Sequence, residues 1–259
     1  MFKKFTFMFS ALILTTVFLS SCNLPNRQTI PTQTLTPTSI TVEAINTPTP
    51  VPSLCDNLFF PNKVGDTWEY AGNNSAMGAY TRTDTISNSG EKSFSVQSTV
   101  SGATSVVDYS CTEAGLVSTN PIQQYVGPLL ASLNAQVNIN LVSTSGISLP
   151  AKINPGDSWQ QLAEFDASSA SYSTNGRLVF DYNAVGYENI TVPSGSYNAL
   201  RVDTTIRIEI SSFRILAGTY EMTTWMAPNV GIIKTQGTSH VSNVNFSDGL
   251  EMTSFALSK

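Results

Sequence analysis

Charge is scarce in this chain: Asp, Glu, Lys and Arg together make up 12% of 259 residues, against about 25% in ordinary soluble domains. No basic cluster follows Lys4, and the formal net charge is −5. Nucleic-acid binding rests on clustered Lys and Arg, so no nucleic-acid partner is expected. Histidine is nearly absent. A lone His240 rules out a His-based metal cluster and an HExxH helix, and it reads as a surface residue. Of three cysteines none sits in a CxxC, which removes zinc and dithiol redox chemistry. There is no G-x-S-x-G elbow, P-loop, dinucleotide fingerprint or Asp-rich calcium loop. No catalytic residue, metal or cofactor is therefore assigned, and the chain reads as non-enzymatic. Glu69, Asp108, Glu164 and Asp181 fall within or beside predicted strands. Glycosidase carboxylates meet in space and not in sequence, so an envelope-polymer hydrolase stays as a remote alternative.

The one long apolar run is at the start. Lys3 and Lys4 precede an uncharged stretch from Phe5 to Leu19. As a helix it would span roughly 22 Å, short of the ~30 Å hydrocarbon core, so it reads as the h-region of a signal peptide. Leu19-Ser20-Ser21-Cys22 then resembles the bacterial lipobox. The resemblance implies cleavage before Cys22, a diacylglyceryl thioether on its sulfur, and acylation (palmitate, for example) of the new amino group. The mature chain would be extracytoplasmic and lipid-anchored, to the cell membrane or to an outer membrane where there is one. Losing Lys3 and Lys4 takes the formal charge from −5 to −7.

Residues 1–21 are thus expected to be leader. Residues 22–53 hold the lipidated Cys and a spacer with six prolines and eight threonines. That composition cannot build a core and favours extended polyproline II, with a reach near 95 Å at ~3.1 Å per residue. Residues 54–259 are long enough for a single β-rich domain. With Cys22 used for lipid, Cys55 and Cys111 remain as an even pair in an oxidising compartment. They are expected to form a disulfide, worth about 4 kcal/mol on the chain-entropy account.

Periodicity is β almost throughout. Leu200, Val202, Thr204, Ile206, Ile208 and Ile210 alternate with Arg201, Asp203, Thr205, Arg207 and Glu209, a strand with one face buried and one wet. Asn88-Ser89-Gly90 and Pro193-Ser194-Gly195 mark turns. Ser247-Asp248-Gly249-Leu250 reads as a hairpin between Val241–Phe246 and Glu251–Leu257. Further strands are expected at Thr67–Ala71, Tyr80–Ile86, Phe94–Val100, Ser105–Cys111, Trp159–Phe165, Arg177–Tyr182, Val185–Val192 and Tyr220–Met226. Only Tyr125–Ala135 hints at a short helix. The fold class is all-β: an antiparallel meander curled into a half-barrel or a sandwich.

One echo stands out. Lys63-Val64-Gly65-Asp66-Thr67-Trp68 recurs as Lys152-Ile153-Asn154-Pro155-Gly156-Asp157-Ser158-Trp159. It is either a duplicated half-domain or one strand-opening solution used twice: Gly for the turn, Asp to bond the backbone, Trp to plug the core.

Phe60-Pro61-x-x-Val64-Gly65-x-x-Trp68-x-Tyr70 opens a series of motifs. It continues with Pro155-Gly156-Asp157-x-Trp159, then Val192-Pro193-Ser194-Gly195-Ser196-Tyr197-Asn198-Ala199-Leu200-Arg201-Val202, then Ala227-Pro228-Asn229-Val230-Gly231-Ile232-Ile233-Lys234. The series resembles an uncharacterised family of secreted bacterial β-proteins and lipoproteins, from about residue 58 to 236. Ser194 and Asn229 stand where the family pattern has Ala and Gly. More distantly the family is reminiscent of the curled sheets of periplasmic lipoprotein carriers, which hold lipid on a concave face. The expectation is an apolar or amphipathic ligand, or an envelope protein partner. The alternative is an assembly module without a small-molecule site. Trp68, Tyr70, Trp159, Tyr197 and Trp225 are read as core or concave surface.

Overall fold

Alternating side chains fix which face of each strand turns inward, and the long Leu200–Ile210 pattern shows this directly. In the computed structural model, which describes residues 53–122, 137–170, 172–210, 218–241 and 244–258, its even positions are buried from Leu200 to Ile208 and its odd positions are half-exposed. Cys22, the spacer and the helix expected over Tyr125–Ala135 lie outside the described residues.

Among the described residues thirteen strands follow in chain order: β1 Thr67–Asn74, β2 Gly78–Ser89, β3 Ser93–Val100, β4 Ala103–Thr112, β5 Gly115–Ser118, β6 Asn138–Gly146, β7 Leu149–Pro150, β8 Ser158–Ser169, β9 Tyr172–Val192, β10 Gly195–Ile210, β11 Gly218–Ala227, β12 Gly231–Val241 and β13 Val244–Ala256. All belong to one antiparallel sheet in the order β6-β8-β9-β10-β11-β12-β13-β1-β2-β3-β4-β5-β7. The two edges approach each other at one end. There the chain leaves β6 and crosses over: Ile147 N–H donates to Gln160 O (3.0 Å) and Ser148 N–H to Leu116 O (2.9 Å). Beyond this crossing β5 pairs only residues 109–112 of β4. The result is a curled half-barrel, linked at one end and not closed.

The inner face is filled. At the linked end Phe94, Ile86, Leu116, Leu200, Ile233 and Met252 are among the side chains of one buried cluster. Toward the other end Phe165, Leu178, Phe180 and Ile206 belong to a second. The Cys55–Cys111 disulfide is formed, with Cα atoms 5.0 Å apart, and ties the segment ahead of β1 to the end of β4.

The Gly-Asp echo is a repeat in three dimensions. Gly65 and Gly156 take φ of 91° and 93°, which favours glycine. Asp66 Oδ2 accepts from Lys63 N–H (2.9 Å) and Asp157 Oδ2 from Asn154 N–H (2.7 Å). Each turn docks on the following strand by the same two bonds: Gly65 N–H to Ile86 O with Ile86 N–H to Asp66 O, and Gly156 N–H to Ala184 O with Ala184 N–H to Asp157 O. In both copies a bulge comes immediately after the docking residue, at Ser87 and at Val185. Shared turn, tryptophan, docking pair and bulge make β1–β2 and β8–β9 equivalent units.

Most turn readings hold, including Pro193-Ser194 between β9 and β10. One does not. Asp248-Gly249 makes no hairpin, because β13 runs straight through it. Asp248 instead turns inward and accepts from Tyr80 Oη (3.0 Å) and Asn74 Nδ2 (3.1 Å). Central pairing on both sides, with Gly237 and Asn74, outweighs the local turn preference. The connection falls earlier, where Val241 pairs Val244. Arg177–Tyr182 and Val185–Val192 belong to one strand, since the bulge at Val185 absorbs the break in alternation. Asn229 has φ 59°, a conformation Asn tolerates.

Candidate functional site

A groove of about 1140 Å³ crosses β1 and β8–β13. It lies on the outer face of the sheet. Among its walls are Gly72 and Gly237, whose inner sides are covered by the Tyr80 ring and the Tyr220 hydroxyl. The groove therefore reaches both glycines from outside.

Strand register sets its floor. One row of partners runs Arg201, Trp225, Lys234, Glu251, Ala71; all but the buried Trp225 line the groove. The next runs Asn183, Asp203, Thr223, Gln236, Gly249, Asn73. The charges in these rows are already paired. Arg201 holds Asp203 by two bonds of 2.9 Å and reaches Glu188 at 3.3 Å. Thr223 Oγ1 donates to Asp203 at 2.8 Å, and the Trp225 indole N–H donates to Glu188 at 2.8 Å. Lys234 bonds Glu251 at 2.7 Å and stands 5.8 Å from the Trp225 ring centroid. The hydrogen bond that Arg201 donates to Asp203 is the largest influence holding its guanidinium above the ordinary range. Gln236, Thr238, Asn183 and Glu221 are exposed. Such a surface can hold a polar ligand by hydrogen bonds, with Arg201 preset by its carboxylate partners.

Polar side chains also line the inside of β1–β3 and β13. Asp84 accepts from Arg82 Nε (2.8 Å) and Ser98 Oγ (2.6 Å). Arg82 lies 6.0 Å above the Tyr70 ring, and Tyr70 Oη donates to Ile232 O at 3.0 Å. Burial would lower the Arg82 pKa, but Asp84 outweighs it and holds the cation firmly charged. Burial, then the Asp84 charge, raises Tyr70. Burial, then Asp248, raises Tyr80. Every one of these groups has a partner, so they read as structural.

The carboxylates singled out in the sequence are not brought together. Glu69 accepts from Ser254 (2.7 Å), Asp108 from Ser95 (2.6 Å) and Glu164 from Ser143 (2.8 Å). Asp181 takes Gln160 at 2.7 Å and pairs with Arg207. Asp181 lines the large groove and Glu164 a separate one of about 600 Å³; Glu69 and Asp108 line neither. His240 is an exposed position within β12, opposite Asn245. Among the described residues no group of three or more His, Cys, Asp or Glu could hold a metal ion. The groove residues Arg201, Asp203, Thr223 and Lys234 were not legible as a site. Alternation marks them as an outer face, but only register aligns them in rows.

No curated protein matches the chain. Two solved structures share the fold. One is a protein from Bacteroides fragilis described as exported and with a YmcC-like fold: TM-score 0.51, 14% identity, covering 78% of this chain and all of that one. The other, from Parabacteroides distasonis, is described as a lipoprotein: TM-score 0.54, 14% identity, covering 78% of this chain and 99% of that one. Over residues 122–240 the chain matches the DUF3108-like family.

Proposed function

We propose that this chain is an exported lipoprotein, anchored by lipid on Cys22, whose domain acts without catalysis as a binding module for a polar envelope ligand. The observation that carries this is the groove of about 1140 Å³ across β1 and β8–β13, where Arg201, Asp203, Lys234 and Glu251 are paired and the side chains of Asn183, Gln236 and Thr238 are exposed. The lipobox and Pro/Thr-rich spacer support the address, as do the descriptions given to the two similar structures. An apolar ligand fits less well. Among the described residues the inner apolar face is filled by its own side chains, and the open concavity is polar.

The test is titration of the mature chain with soluble cell-wall glycopeptide fragments, read by amide chemical shifts. Saturable shifts along β10–β13, reduced in Thr223→Ala with Gln236→Ala, are expected. A lipid-sized extra mass in native mass spectrometry, with no shifts in the groove, would return the ligand to the apolar class. A second reading, an assembly module, draws on the edge of β4. Residues Ala103–Val107 pair β3 on one side and no other strand among the described residues. Such an edge can accept a partner strand.

A further inference from the structure

We infer that the linked end of the half-barrel docks on the phospholipid surface to which the tether is anchored. This rests on the lipid-anchor reading. The observations behind it concern residues 53–66 and the last residues of β13, which lie at the same end.

Five large apolar side chains are exposed there: Leu54 at 37%, Leu58 at 48%, Val64 at 57%, Phe255 at 38% and Leu257 at 37%. Folded proteins normally leave apolar side chains scattered singly, and a group of them at one place marks an interaction surface. These five are held in position by the backbone that carries them. Leu58 O accepts from Asn229 N–H at 2.7 Å. Val64 O accepts from Ser258 Oγ at 2.9 Å, while Ser258 N–H donates to the buried Asp66 at 2.7 Å. Thr67 pairs Ala256 and Trp68 pairs Phe255. The disulfide at Cys55 fixes the start of the segment to β4.

The occupant follows from where the chain goes. The segment that carries Leu54 and Leu58 continues directly into the spacer that ends at Cys22. The apolar rim is thus the part of the domain covalently nearest to the lipid. A tether turns docking into an intramolecular event, so a few partly inserted side chains suffice. Charge does not drive the contact. Exposed Lys63, Lys92 and Lys152 share this end with exposed Asp56, Glu91, Glu113 and Asp157, so the docking should resist salt.

The test uses the full mature lipidated chain in vesicles of phosphatidylcholine and phosphatidylglycerol that carry a phosphatidylcholine with a diazirine in its acyl chain. After irradiation, label is expected in peptides covering 53–66 and 253–258 and absent around Met77 at the opposite end. The triple variant Leu58→Ser, Val64→Ser, Leu257→Ser changes only exposed side chains and should lose that label. Label confined to residues 22–52, or spread equally over both ends, would overturn the docking. Intact mass reads the anchor separately: an unmodified Cys22 would overturn the anchor, and the docking with it.

Discussion

The two Gly-Asp-Trp units share a turn, a docking pair and a bulge, yet they do different work. The first is sealed into the core. Trp68 is 5% exposed, and its indole N–H reaches Val230 O on the far side of the chain. Phe60 packs 6.5 Å away. The second stands at the crossing between the sheet edges. Trp159 is half-buried, stacks on Tyr182 at 5.1 Å, and donates to Ser148 O at 3.2 Å. The same difference shows two residues on, where Tyr70 and Gln161 occupy equivalent positions. Gln161 Nε2 donates to Ser118 O (3.1 Å) and its Oε1 accepts from Ser148 Oγ (2.8 Å), holding the crossing together. One local code thus opens two strands, and the opposing surface decides whether the tryptophan is a plug or a seam.

Substitutions can break this comparison. Trp68→Ala should cost about 3–5 kcal/mol as a core truncation, and Trp159→Ala roughly half that. Urea unfolding of the mature chain measures both, and equal costs would mean that the seam is as dry as the core. The disulfide belongs to the first unit only. Cys55→Ser with Cys111→Ser should cost about 2–5 kcal/mol, seen in the same transition, and a reductant should add nothing to the double variant. The two aspartates give the next smaller effect. Asp66 is buried and holds both Lys63 N–H and Ser258 N–H. The Asp157 side chain is exposed and accepts only from Asn154 in its own turn. Asp66→Ala should therefore cost about 1–3 kcal/mol and Asp157→Ala less than about 1.

The smallest and most selective effect is alkaline. Tyr70 is held above its ordinary value of 10.0, first by burial and then by Asp84. The unfolded chain releases this proton from about pH 10 while the folded chain retains it. Stability is complete below that pH and falls above it, by about 1 kcal/mol per pH unit. Tyr70→Phe should make the fall between pH 10 and 11 shallower, the remainder coming from Tyr80. The second unit has Gln161 at the equivalent position, so Gln161→Met should leave the alkaline slope as it is.

Much of the fold is local and was legible. The faces of β10, the turns at Ser89-Gly90 and Pro193-Ser194, and the pairing of the two remaining cysteines need only alternation, turn chemistry and counting. Other elements were missed for identifiable reasons. β5 and β7 are too short to show a period. β12 carries Ile232 and Ile233 side by side because of the bulge opposite Trp225 and Met226. The polar inner positions Asn74, Arg82 and Asp84 break the inside-apolar rule, and only their mutual bonds make them tolerable there.

The sequence by itself determined the class, the inward and outward faces, and the twofold use of one strand-opening turn, because each of these is a property of neighbours along the chain. Tertiary structure alone decided the rest: that Asp248 sits in mid-strand, that Ser148 links the sheet edges, and that Arg201, Trp225, Lys234 and Glu251 form one row. Those outcomes depend on register between strands far apart in sequence, where backbone hydrogen bonds and buried partners on both sides outweigh local preference.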